Sequence, residues 1–206
     1  QPIAVWAQTP GSCINTNSVR VDTGATFSAF NSLERLEVRS GKPGTADWEV
    51  GLGNNTQSSG QFVNGHLNWV NNKVFAWTLT HNGQGAATIT VTDNGAAVLS
   101  RSWNQGMDVG NALKFYVKSS SGIGAGNKIT VTIDTIQGQA AFGTIQSTGD
   151  NLYSEQALHY TVPATGAGFT ATGTMKLTYA SAGPTTGSRL NFIVTAGNLT
   201  CQGAQS

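Results

Sequence analysis

Apolar and polar residues alternate along much of the chain, and clusters of Gly, Asn and Ser interrupt the alternation. In Lys73–Thr80, for example, Phe75, Trp77 and Leu79 occupy every second position. A period of two places successive side chains on opposite faces of a strand, so this pattern predicts strands rather than helices. The same pattern predicts strands at Ala87–Thr92, Ala97–Ser100, Leu113–Lys118, Lys128–Ile136, Thr170–Tyr179 and Arg189–Thr195.

The sequence pattern of one segment fits a helix and a strand equally well. In Phe30–Arg39, Leu33 and Leu36 could share one face of a helix, but the end of the segment alternates equally well as a strand. Elsewhere strands recur every few residues with Asn-Gly turns between them, which favours a meander or Greek key over βαβ units. We therefore predict an all-β fold, a two-sheet antiparallel β-sandwich of jelly-roll type. Thr170–Tyr179 and Arg189–Thr195 are expected to pair with each other.

Size and charge narrow the classes of function. The chain has 206 residues, a length at which all-β sandwiches commonly form a single domain. Its net charge is +1, with 10% charged residues against a usual value of about 25%. This balance provides no electrostatic attraction to nucleic acid or to an anionic membrane surface. No apolar run reaches the roughly 20 residues that span a bilayer, so no membrane span is expected.

The two cysteines, Cys13 and Cys201, lie near opposite ends of the sequence. In an extracellular protein such a pair predicts one disulfide, and the alternative is two buried free thiols. The chain begins with Gln, and we expect a signal peptide to have been removed. The predicted location is therefore extracellular or on the cell surface. The predicted organisation is an N-terminal arm at residues 1–12 and a single β-sandwich domain at residues 13–206.

The N-terminal arm alternates Ile3 and Val5 with other residues, and Trp6 follows them. No charged residue precedes Arg20, so the charges that usually protect an edge strand are missing. Within one subunit the arm would be an edge strand. Between subunits it would be a donor strand that adds to a neighbour, with Ile3, Val5 and Trp6 at the interface. The arm therefore predicts a homo-oligomer or filament.

One stretch resembles a known family. Its motifs are Ala46-Asp47-Trp48-Glu49-Val50-Gly51-Leu52-Gly53, Gly60-Gln61-Phe62-Val63-Asn64-Gly65, Phe75-Ala76-Trp77-Thr78-Leu79-Thr80-His81-Asn82-Gly83 and Ala87-Thr88-Ile89-Thr90-Val91. Over roughly residues 45–138 the chain looks like the bacterial secreted "choice-of-anchor" surface domains. The resemblance implies a secreted β-sandwich at the cell surface. It implies no chemistry.

The carboxylates include one candidate catalytic pair. A glycoside hydrolase needs two carboxyl groups about 5–9.5 Å apart, and Asp47 and Glu49 would share one strand face. The alternative, which we favour, is a solvated strand edge. The three histidines, His66, His81 and His159, lack zinc-ligand spacing, and no Gly-x-Ser-x-Gly motif occurs. We therefore predict no enzyme, no metal and no cofactor.

Tryptophans offer a second class of function. Trp48 and Trp77 lie in alternating strands and are predicted to be core residues. Trp69 and Trp103 lie beside Asn and Gln residues, where a ring could stack on a sugar or could equally anchor a loop. The predicted function is a non-catalytic extracellular structural protein, a self-associating subunit of a cell-surface or matrix fibre. The alternative is a carbohydrate-binding module that binds a glycan through Trp69 and Trp103.

Overall fold

The computed structural model describes residues 19–23, 30–40, 49–54, 60–105, 110, 112–121, 123–150, 153–161, 168–180 and 190–199. The fold within these residues is all-β. In chain order the strands are β1 (Val19–Thr23), β2 (Phe30–Ser40), β3 (Val50–Gly53), β4 (Phe62–Gly65), β5 (Val74–His81), β6 (Ala87–Asp93), β7 (Ala96–Trp103), β8 (Ala112–Ser119), β9 (Lys128–Ile136), β10 (Gln139–Gln146), β11 (Ser154–Thr161), β12 (Phe169–Thr178) and β13 (Leu190–Leu199).

The strands form two antiparallel sheets. The seven-stranded sheet has the order β1-β11-β8-β13-β2-β3-β4, and the six-stranded sheet has the order β10-β9-β12-β5-β6-β7. β4 and β3 lie against β7, whereas β10 lies against β11 and β8. The two sheets therefore face each other, and consecutive strands of the second half of the chain often belong to different sheets.

Local sequence explains the strands and their turns. In β9, Ile129, Val131 and Ile133 are buried while the residues between them are partly exposed, as the alternation predicts. The β6–β7 hairpin turns at Asn94 and Gly95, with φ values of 48° and 82°. Asn-Gly tolerates this left-handed conformation, so the turn predicted from the sequence is confirmed.

The core lies between the sheets, and Trp77 belongs to it, as predicted. Its indole lies 5.2 Å from the Phe192 ring and 6.2 Å from the Phe115 ring, measured between centroids. Trp77 belongs to the six-stranded sheet, and both phenylalanines belong to the seven-stranded sheet. The three rings therefore join the two sheets across the core.

β13 is buried on both of its faces. Phe192 and Val194 belong to the core between the sheets, so the alternate residues Asn191, Ile193 and Thr195 point to the opposite face. Ile193 is nevertheless 0% exposed. The seven-stranded sheet is thus covered on its outer side at its central strand.

Two predictions about strands need correction or completion. Phe30–Ser40 is a strand because it pairs with β13 on one side and β3 on the other. The expected pairing of Thr170–Tyr179 with Arg189–Thr195 is wrong, since β12 pairs with β5 and β9 while β13 lies in the other sheet. Adjacency in sequence did not reveal that the chain crosses between sheets there. Within the described residues no helix has the length and apolar character to cross a membrane.

Gly173 gives a test of the core. A Cβ at this position would lie 2.6 Å from Cζ2 of Trp77 and would also clash with the Thr132 carbonyl. Because that carbonyl belongs to the β9 backbone, Gly173→Ala should lower the free energy of unfolding by about 1–3 kcal/mol or more. The control Thr174→Ala, on the outer face, should cost less than about 1 kcal/mol. Equal losses in urea denaturation would contradict the close packing of Trp77 on Gly173.

Candidate functional site

The two sheets are sealed together at one end. On β7, Leu99 and Trp103 face the core, and Arg101 lies between them with the same period. The Arg101 Nε donates to the carbonyl of Asn64 on β4 at 2.5 Å. A Cβ at Gly65 would lie 2.6 Å from Leu99, so the strands approach closely. A charged side chain that points inward on an edge strand blocks the addition of further strands, so this end is closed.

At the opposite end of the molecule, the six-stranded sheet ends one strand before the seven-stranded sheet. We call this the open end. β10 lies over β11 and β8, and β1 continues the seven-stranded sheet beyond β11. Within the described residues no strand continues the six-stranded sheet opposite β1. The predicted interface residues Ile3, Val5 and Trp6 lie outside the described residues. The arm that contains them precedes β1 in the chain and so connects to this open end.

One side chain shows which backbone groups of β10 face the open end. The Gln146 N–H donates to Oε1 of Gln156 on β11 at 2.8 Å, and therefore points away from β9. The Ser147 N–H, by contrast, bonds to the Ile129 carbonyl of β9. Backbone groups alternate sides along a strand, so the N–H and C=O of Thr144 also point away from β9. Gln156 could not be identified from the sequence pattern, because its partner lies on another strand.

Glu49 was expected at a solvated strand edge, but the structure buries it. It is 1% exposed, and its Oε2 accepts from the Leu67 N–H at 3.0 Å and lies 2.9 Å from Nδ1 of His66. The carboxylate thus holds the segment that crosses from β4 to β5. Because this role occupies a buried carboxylate, Glu49 is poorly placed to meet a substrate. Its suggested partner Asp47 and the neighbouring Trp48 lie outside the described residues.

The two tryptophans proposed for glycan binding are buried. Trp69 is 7% exposed and Trp103 is 4% exposed, and both belong to the core between the sheets. Trp69 packs edge-on against Phe75, with ring centroids 5.5 Å apart. Stacking on a sugar requires an exposed ring face. Neither ring therefore offers a face to a sugar in this structure, and both are core residues.

A charged cluster lies on the outer side of the seven-stranded sheet. Glu155 on β11 accepts from Lys114 Nζ at 3.0 Å and from the Tyr153 hydroxyl at 2.7 Å. The Lys114 ammonium also lies 4.3 Å from the centre of the Tyr116 ring. These contacts join β8 to β11, next to β1. Sequence reasoning did not identify the cluster, because its members come from separate strands.

The contacts in this cluster shift two pKa values. The hydrogen bond to Glu155, with smaller effects of burial and of the Glu155 charge, raises the pKa of Tyr153 to about 12. Burial raises the pKa of Glu155, but hydrogen bonds from Tyr153 and Lys114 and the charges of Lys114 and Lys118 together lower it below its usual value. Each group therefore stabilises the charge state that the other requires.

The cysteines and two of the histidines considered in the sequence analysis lie apart from this cluster or outside the described residues. Cys13 and Cys201 are outside the described residues, and so is the disulfide predicted between them. His66 bonds to Glu49, and His81 stacks on Phe169 with ring centroids 5.8 Å apart. In the described part of the chain, no three His, Cys, Asp or Glu residues lie together as a metal site would require.

Trp103 can be tested as a core residue. Trp103→Ala should lower the free energy of unfolding by about 3–5 kcal/mol, because it leaves a cavity between the sheets. The control Val98→Ala, at an exposed position of the same strand, should change it by less than about 0.5 kcal/mol. Chemical denaturation measures both. A small loss for Trp103→Ala together with lost glycan binding would restore the carbohydrate-binding alternative.

The Tyr153–Glu155 pair predicts how stability depends on pH. The raised pKa of Tyr153 contributes stability below pH 10, and that contribution is lost as the pH rises toward about 12. The lowered pKa of Glu155 contributes stability above its ordinary value, and that contribution is lost as the pH falls through the lowered one. Tyr153→Phe should therefore weaken the loss of stability in alkali, as measured by urea denaturation from pH 9 to about 12. The same alkaline loss in both proteins would contradict the assignment.

Comparison with known proteins adds no further identification. No protein-family model matches the chain, and no curated protein matches it either. The resemblance to choice-of-anchor domains therefore remains a hypothesis based on residues 45–138.

Proposed function

We propose that this chain is a non-catalytic extracellular structural protein, a self-associating subunit of a cell-surface or matrix fibre. The open end of the two sheets is the observation that carries the proposal. The N-terminal arm connects to β1 at that end, where the seven-stranded sheet extends beyond β10. An arm that leaves a molecule at an open sheet border is well placed to add to the sheet of a second copy.

We further propose that eight strands form a jelly roll. The seven-stranded sheet contains the run β11-β8-β13-β2, and the six-stranded sheet contains the run β10-β9-β12-β5. Followed along the chain from β2 to β13, these eight strands alternate between the sheets except at the β9–β10 hairpin. This order supports two Greek keys, the connectivity of a jelly roll. The strands β3, β4, β6 and β7 then extend both sheets at the sealed end.

The outer surface of the six-stranded sheet is compatible with close association between copies. Its exposed positions are largely hydroxyl residues that bond in pairs across strands, such as Thr88 with Ser102 and Thr132 with Thr144. Hydroxyl groups satisfy their hydrogen bonds without adding charge. With a net charge of +1, little electrostatic repulsion opposes contact between identical molecules.

The positions of the first and last described strands support the disulfide proposed between Cys13 and Cys201. The disulfide in turn supports an extracellular location. Val19 lies in register with Ala196 through β11 and β8, so the start of β1 and the end of β13 are at the same side of the sheet. Three strand spacings, about 14–15 Å, separate them. Cys13 precedes Val19 by six residues and Cys201 follows Leu199 by two, which is enough chain to cover that distance.

The arm is tested by deletion. Removal of residues 1–9 should leave a folded monomer that no longer assembles, because two or three of Ile3, Val5 and Trp6 would each contribute about 1.5–3 kcal/mol when fully buried. Light scattering and electron microscopy measure assembly, and circular dichroism measures folding. Val5→Asp should have a similar effect, whereas the control Gln8→Asp should assemble like the intact chain. If the truncated chain forms the same oligomer as the intact one, the proposal fails.

A further inference from the structure

We propose that the N-terminal arm of one copy adds to the free edge of β10 in the next copy, as a seventh strand of the six-stranded sheet. The inference rests on the proposed function and names the strand that receives the arm. Three independent features of the described residues select β10: its lack of edge protection, its position beside the place opposite β1, and the direction of its backbone groups.

The four border strands differ in how they are protected. β1 contains Arg20 and Asp22, and β4 has four residues and is sealed by Arg101. β7 carries Arg101 itself and has an irregular register at Val98. β10, Gln139–Gln146, also has an irregular register, between Ala140 and Gly143, but its eight residues include no charge and no proline. Charges, prolines and short length are the usual means of blocking strand addition, so β10 is the least protected border.

The position of β10 gives an added strand an apolar partner. A strand next to β10 would lie opposite β1, where Val19 and Val21 are in register, through β11, with Leu113 and Phe115. Leu113 and Phe115 are core residues. A strand that brings Ile3 and Val5 to this place would extend the core by one strand, and both sheets would then have seven strands.

Backbone groups of β10 are available for the added strand. The N–H and C=O of Thr144 point away from β9, toward the side where the arm would lie. Gln156 already bonds to the Gln146 N–H and so marks one limit of the receptive edge. The register is irregular between Ala140 and Gly143, which marks the other limit. The arm would therefore form few backbone hydrogen bonds, centred on Thr144, and most of its stabilisation would come from burial of Ile3 and Val5.

Proline substitutions at two borders test the inference. Thr144→Pro removes an N–H that faces the open end, and the β9 ladder does not use this N–H. The matched control is Ser100→Pro on β7, where the Ser100 carbonyl accepts from Nη1 of Arg101 and therefore also faces a free edge. Light scattering should show weaker assembly for Thr144→Pro, by up to about tenfold for the loss of one hydrogen bond, and normal assembly for Ser100→Pro. Normal assembly of a folded Thr144→Pro protein would overturn the inference.

A crosslink keeps the test decisive, because a proline at 144 also restricts Gly143, whose φ is 128°. Chains with Thr144→Cys are mixed with chains that carry Val5→Cys or, separately, Ala4→Cys, and the mixtures are oxidised. Each chain then has one introduced thiol, so a disulfide-linked peptide pair found by mass spectrometry can form only between copies. We expect this crosslink for Ala4→Cys, because the Thr144 side chain lies on the outer face of the sheet, whereas Val5 would face the core.

The outcomes separate this inference from the proposed function. If deletion of residues 1–9 abolishes assembly but no crosslink to position 144 forms, the arm acts at another edge and the inference alone is wrong. If a doubly substituted chain crosslinks within itself and the mixture gives no crosslink, the arm pairs within its own subunit. That result overturns both the inference about β10 and the proposed function. Assembly without the arm overturns the proposed function.

Discussion

The burial of one face of each sheet around the Trp77 indole is the constraint on which the rest of this structure depends. Trp77 contacts Phe115 and Phe192 of the opposite sheet, and Gly173 on the neighbouring strand leaves room for its ring. Since side chains alternate along a strand, fixing the inward positions also fixes which residues face outward. The paired threonines and serines of the six-stranded sheet and the Glu155 cluster of the seven-stranded sheet occupy their positions for this reason. The sealed and open ends follow in turn from how far each sheet extends beyond this centre.

Strands with regular alternation and clear turns could be predicted from the sequence, whereas interrupted ones could not. Lys128–Ile136 was predicted with its full length, because apolar residues occupy every second position. The next strand, Gln139–Gln146, was missed, since its irregular register between Ala140 and Gly143 breaks the alternation. The pairing of β12 and β13 was wrong for a different reason. Alternation identifies a strand and its buried face, but it does not reveal which sheet the strand joins.

The residues of the candidate site were harder to predict than the fold. Glu49 was expected at a solvated strand edge, and for Trp69 and Trp103 a sugar platform and a loop anchor stayed equally open, but contacts between distant segments bury all three. The Leu67 N–H that bonds to Glu49 is 18 residues away in sequence. Arg101 did carry a usable signal, because it lies midway between Leu99 and Trp103 in an alternating strand. A charge at an apolar position of such a pattern marks a border of the sheet.

β13 has a consequence for the order in which the chain folds. It lies between β8 and β2, and in the seven-stranded sheet it is the link between β2–β4 and the strands on its other side. Since it is also the last of the described strands, the early strands of this sheet cannot complete their pairing until it has been made. Such long-range pairing costs loop-closure entropy before it is rewarded, and folds dominated by it form slowly. The edges of β8 and β2 that flank β13 therefore stay without their strand partner until this last described strand has been synthesised.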